Sequence, residues 1–183
     1  MKQALAVLGV VLSASAVQCS KAGAPASAGA EPESAFRTTL KDGDEVFAVE
    51  PELVFGVDYD TRERQVHAER ASPRDAFSIS VRDAQGRELS RCAAGPAWGS
   101  VVPALSSLRA LKVLAPSDAR SLWLSQGARV ATLRVRDAMS AEPSEFRVVA
   151  RASDVVVRDG GGVFVSSLSP SVVALLERGC TGS

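Results

Sequence analysis

The sequence predicts an α+β domain, a single domain of mostly antiparallel strands carrying two or three helices. Three observations lead there. Apolar residues alternate with polar ones over short runs, as where Phe77, Ile79 and Val81 are set among Ser78, Ser80 and Arg82, the pattern of a half-buried strand. Polar or glycine-bearing turns separate these runs. Two later segments instead place apolar residues at helical spacing between capping residues.

Taken in order, Leu53, Phe55, Val57 and Tyr59 alternate and predict a first strand. Asp60-Thr61-Arg62 turns it into a second strand at residues 65–68. Phe77, Ile79 and Val81 make a third, and Asp83-Ala84-Gln85-Gly86-Arg87 reads as a hairpin turn in which glycine supplies positive φ. The return strand runs from residue 88 to about residue 92. A helix is then predicted from Ser100 as N-cap, with Pro103 in its first turn, where a missing N–H is tolerated. Val101, Leu105, Leu108 and Leu111 form its apolar stripe, and Arg109 and Lys112 lie near its C-terminal end, where positive charge suits the helix dipole. A shorter helix is expected at residues 117–125, with Asp118 in its first turn. Strands resume at residues 131–136, 145–150, 154–158 and 163–165. Asp159-Gly160-Gly161-Gly162 is a turn and not a phosphate loop, since no helix with Lys and Ser or Thr follows it. The last helix is punctuated by Ser169, Pro170 and Gly179, with Val172, Leu175 and Leu176 on its apolar face. The result reads as two strand groups, each followed by a helix.

The chain has 183 residues, and 21 Lys and Arg balance 21 Asp and Glu. That length suits one domain, and the balance argues against a dedicated nucleic-acid binder. A single histidine, His67, excludes sites needing two imidazoles. The balance hides an asymmetry. Residues 31–60 carry nine acidic and two basic side chains, whereas residues 61–183 carry 12 acidic and 17 basic ones. The scattered arginines read as a mixed soluble surface, with a basic face for anionic headgroups as the alternative.

Lys2 precedes an apolar run that reaches Val17 at most, shorter than the roughly 20 residues of a membrane span. Residues 1–18 therefore read as a signal peptide. Ala16-Val17-Gln18-Cys19 resembles the lipobox of bacterial lipoproteins, a run ending in the cysteine that receives diacylglycerol. The resemblance implies lipidation at Cys19, membrane attachment through that lipid, and a place in the bacterial cell envelope facing the periplasm or exterior. The competing site is Ala14-Ser15-Ala16, which would release a soluble periplasmic or secreted binding protein. Residues 19–35 are mostly small residues with Gly and Pro. They read as a tether reaching on the order of 20 Å, and residues 36–183 as the folded domain. With Cys19 acylated, Cys92 and Cys180 remain. An even pair in an oxidising compartment reads as one disulfide. It would close a loop of about 90 residues, worth about 4–5 kcal/mol in the chain-entropy picture.

Trp98, the run Pro103-Ala104-Leu105-Ser106-Ser107-Leu108-Arg109-Ala110-Leu111 and the ending Val163-Phe164-Val165-Ser166-Ser167-Leu168 are similar to a family of uncharacterised bacterial envelope proteins. These carry a domain of unknown function and are often encoded beside gliding-motility-type transporter components. The likeness spans residues 50–178 and implies no catalytic residue.

Candidate chemistry is sparse. His67, among Arg64, Glu69 and Arg70, reads as a surface or edge-strand residue rather than part of a Ser-His-Asp set. Asp42, Asp44 and Glu45 lack the EF-hand spacing and read as a solvated turn. Asp58 and Asp60 share one strand face beside a turn, where acid–base work is the sharper but weaker reading. Trp98 and Trp123 suit either core packing or a binding cleft. The expectation is a non-enzymatic lipoprotein that binds an envelope protein partner, with no metal, cofactor or nucleic acid. A hydrolase using Asp or Ser is the remaining alternative.

Overall fold

Side chains that fold back on their own turns close the hairpins of this chain. In the computed structural model, which describes residues 38–126 and 129–180, Thr61 Oγ1 accepts from the Glu63 and Arg64 N–H groups. This closes β2 (Val54–Asp60) onto β3 (Arg64–Glu69); β1 (Glu45–Ala48) precedes them. Asp83 Oδ1 accepts from Gln85 and Arg87 N–H groups, and Gly86 at φ +81° completes the turn. That hairpin joins β4 (Ser78–Asp83) to β5 (Glu88–Ala93). The Arg87 N–H holds the Asp83 carboxyl below its usual range, against an opposing effect of burial, and Gln85 adds to the lowering.

The second set follows the same logic. β7 (Ala131–Asp137), β8 (Ser144–Ala150), β9 (Val155–Asp159) and β10 (Gly162–Ser166) form a meander. Asp159 Oδ1 accepts from Gly161 and Gly162 N–H groups at 2.8 and 3.0 Å, closing its last hairpin. The two meanders do not form separate groups. β2 pairs with β7, and β6 (Ser107–Val113) lies between β1 and β10. One ten-stranded sheet results, in the order β1-β6-β10-β9-β8-β7-β2-β3-β4-β5, with every pair antiparallel. Strand outweighs helix, so the expected α+β class with mostly antiparallel strands is met in a strand-dominated form.

The sheet curls. Phe47 of β1 meets Phe146 of β8 edge-to-face with ring centroids 6.0 Å apart. These strands are four places apart in the order, about 19 Å in a flat sheet at the usual strand spacing. The concave face holds the main core, which includes Tyr59, Ile79, Leu108, Leu133 and Phe164. α1 (Val101–Ser106) and α3 (Pro170–Arg178) fill it, burying Val101, Leu105, Val173 and Leu176. On the opposite face α2 (Pro116–Ser125) lays Ala119 and Trp123 over Val149, Val156 and Val163. Burial on both faces explains the unbroken Val155-Val156-Val157 run, which does not alternate.

Three expectations are corrected. The helix predicted from Ser100 stops at Ser106, and Ser107–Val113 is β6. Leu108 and Ala110 are buried while Arg109 and Leu111 are exposed, so spacing two governs there and spacing four does not. Ser100 does not cap with its side chain; its hydroxyl donates to the Ala97 carbonyl. At the start of β2 a bulge between Val54 and Gly56 shifts the alternation, so Val54 is fully buried and Phe55 is half-buried. Leu53 belongs to a short 3-10 turn, Pro51–Leu53. By contrast α3 begins and ends as its punctuation indicates. Ser169 Oγ accepts from Val172 N–H, and Gly179 follows at φ +63°.

Buried Tyr59 donates its hydroxyl to Glu177 Oε1 of α3 at 3.3 Å. Burial foremost, with the Glu177 charge and hydrogen bond adding to it, pushes the phenol well above its ordinary value of 10.0. A raised folded-state value makes this contribution complete below pH about 10, and it is lost as pH rises further. Above that pH, wild-type stability should fall by about 1.4 kcal/mol per pH unit more steeply than that of Tyr59→Phe. Urea unfolding of both proteins across the alkaline range measures the difference. Tyr59 is the chain's one tyrosine, so phenolate absorbance reports its ionisation directly.

Candidate binding groove and the charged sheet face

The chain after β5 turns through Gly95, Pro96 and a 3-10 segment, Pro96–Ser100, before entering α1. This path leaves a groove of about 480 Å³ against the loop between β3 and β4. Its floor is apolar: Phe77, Trp98 and Val102, all buried, with the Phe77 and Trp98 rings tilted at 31° and 6.4 Å apart. Pro51, Pro73, Pro96 and Pro103 supply the walls, and each has φ fixed by its ring. Trp98 is anchored from behind, its indole N–H donating to the Gly179 carbonyl at 3.1 Å.

Arg70 is the guanidinium of this groove. It donates to the carbonyls of Val54, Pro73 and Pro51 at 2.9, 3.1 and 2.6 Å. Its plane sits 4.9 Å from the Phe77 ring centroid and 5.9 Å from that of Phe55, so it ties the loop to β2 and stacks on the floor. Two carboxylates, Glu52 and Asp75, complete the lining. The groove was not legible in sequence beyond Trp98, because Phe77 and the prolines come from segments that only folding brings together.

The disulfide reading is met in geometry. Cys92 of β5 and Cys180 after α3 lie at disulfide distance, with Cα atoms 5.8 Å apart, within the range such a bond needs. Cys19 lies outside the described residues.

β3 pairs with both β2 and β4, so His67 is not on an edge strand; it is a partly exposed residue in the middle of a polar row on the convex face. Register places Asp58 of β2 on one side of it and Ser80 of β4 on the other. Asp58 Oδ1 is 2.5 Å from His67 Nδ1, which requires the proton between them. Arg136 Nη2, 3.3 Å from Nδ1, is therefore a neighbour and not a donor to that nitrogen. His67 Nε2 faces Glu69 Oε2 at 3.2 Å. The nitrogen that a serine nucleophile would need faces a carboxylate and not a hydroxyl.

Asp58 and Asp60 do share that face but have separate partners. Asp60 pairs with Arg134 at 2.7 Å, and Arg134 also pairs with Glu145 at 2.9 Å. The Arg136 guanidinium lies over Gly56, where a Cβ would fall 2.6 Å from its Nε. Gly56→Ala should push Arg136 off this seat at a stability change below about 1 kcal/mol, since its pair with Asp58 is long, at 3.7 Å, and partly exposed. The one imidazole of the chain is the reporter: its NMR signal should move in the variant, and an unmoved signal would show Arg136 still in place.

Asp42, Asp44 and Glu45 do not converge on a cation. Asp42 Oδ1 accepts from Val113 N–H, Asp44 Oδ2 accepts from Lys41 N–H, and Glu45 pairs with Arg109. Several arginines are paired locally: Arg87 with Asp83, Arg91 with Glu88 and Arg151 with Asp154. Trp123 packs in the second core, with Arg158 over its ring at 4.9 Å. Among the described residues no helix is long and apolar enough to cross a membrane.

Fold and site together define a curled antiparallel sheet closed by helices, with a preformed apolar groove at one edge. No family model, curated protein or solved structure matches the chain.

Proposed function

We propose that this protein is a bacterial envelope lipoprotein, anchored through acylated Cys19, whose domain holds a partner protein without catalysing a reaction. The groove carries the partner-binding part. A concave, mostly apolar site with few polar groups is the usual form of a binding site, and rigid prolines reduce the ordering entropy lost on binding. The anchor rests on the lipobox-like Ala16-Val17-Gln18-Cys19 and the tether after it. The cysteine pair at disulfide distance supports an oxidising compartment.

Labelled palmitate tests the anchor. Label should enter the protein, and Cys19→Ser should release it from membranes. An unlabelled protein, or a Cys19→Ser variant still membrane-bound, would overturn the anchor reading. A mature N-terminus at Val17 would instead establish the soluble form released after Ala16.

A further inference from the structure

We infer that the groove takes a cationic, apolar peptide segment of the partner protein. This rests on the binding reading above and adds the chemistry of what binds. The apolar half follows from the lining, where exposed Pro73, Pro96 and Pro103 stand over buried Phe77 and Trp98. The cationic half follows from charge. Glu52 and Asp75 line the groove, are exposed to solvent, and enter no ion pair among the described residues. Arg70 is the lining cation, so the formal charge there is −1: two carboxylates less one guanidinium.

Arg70 is largely committed within the fold in this arrangement. Three of its N–H groups are spent on the Val54, Pro73 and Pro51 carbonyls, and the Phe77 ring covers its plane. A carboxylate, by contrast, can only accept. Several acidic groups elsewhere on the sheet are matched to cations, as Asp60 and Glu145 are to Arg134 and Glu88 is to Arg91. At the groove two acceptors are left for an incoming donor. Complementary charge at a rim guides encounter and selects among partners.

The test uses the full mature chain reconstituted in neutral phosphatidylcholine vesicles. Trp123→Phe leaves Trp98, one of the two tryptophans, as sole indole reporter. Three synthetic peptides of Leu and Pro are titrated, carrying Lys, Gln or Glu at the same places. The Lys peptide should change Trp98 fluorescence saturably, with the Gln peptide weaker and the Glu peptide weakest. Adding Glu52→Gln with Asp75→Asn should weaken the Lys peptide about threefold to tenfold, the range expected for two exposed pairs. It should leave the Gln peptide unchanged, and neither side chain holds a hydrogen bond that folding needs.

Equal binding of Lys and Gln peptides, or an unaffected double variant, would overturn the charge inference while leaving the groove as a binding site. Silence of Trp98 to all three peptides would overturn both. Self-association of the chain that alone alters Trp98 would make the groove an interface between copies and overturn the inference as well.

Discussion

Replacing Cys92 and Cys180 together with serine should lower the unfolding free energy by about 4–5 kcal/mol. The pair spans 88 residues, so in the chain-entropy picture it removes a large share of the unfolded chain's freedom. Its position adds a structural reason. β5 is an edge strand, paired only with β4, and almost wholly exposed. The bridge fastens this strand to the end of α3, the helix that buries Val173 and Leu176 in the concave face. Urea unfolding, with the m-value of each protein fitted separately, would measure the loss. Reductant should reproduce it in the wild type and leave the serine variant unchanged. A difference below about 1 kcal/mol, the scale of an ordinary surface change, would show that the bridge does not hold the fold.

Trp98→Ala is the second large effect, a loss of about 3–5 kcal/mol, the usual range for deleting a buried aromatic side chain. Trp98 is 3% exposed, leans on Phe77, and donates to the Gly179 carbonyl. Trp98→Phe should lose less, about 1–3 kcal/mol, because the ring volume is partly kept while that carbonyl loses its donor. Both Trp98 and the bridge hold the residues just after α3, Gly179 and Cys180. Their losses should therefore fall short of additive in a double-mutant cycle. Full additivity would mean that the two attachments act independently. A Cβ on Gly179 would come within 2.6 Å of Val81 Cγ2, so this junction is also packed without room.

Several parts of this architecture were readable because their causes are local. Asp83 with Gly86, and Asp159 with the glycines after it, close their hairpins within four residues. Ser169, Pro170 and Gly179 bound α3 by contacts inside the helix itself. The cysteine pairing was readable for a different reason, since setting Cys19 aside leaves two. β1 went unread: Glu45–Ala48 is short, and its pattern becomes meaningful only beside β6. The candidate groove was legible at Trp98 alone. Pro51, Phe77 and Val102 are remote from one another in sequence and meet only through the fold.

The segment after Trp98 shows where sequence stops deciding. Val101, Leu105 and Leu108 fit a helix, while Leu108 and Ala110 fit a strand. The ambiguity is settled by partners. β1 and β10 offer backbone hydrogen bonds on both sides of residues 107–113, and a strand there satisfies groups that a surface helix would not supply to its neighbours. The sequence by itself determined the turns, the last helix and the strand-rich antiparallel class, all through interactions a few residues long. Only the tertiary structure decided the joining of both meanders into one curled sheet, the strand after α1 and the groove. Those depend on which distant backbone edges and apolar faces come together, and that information is not held in any one segment.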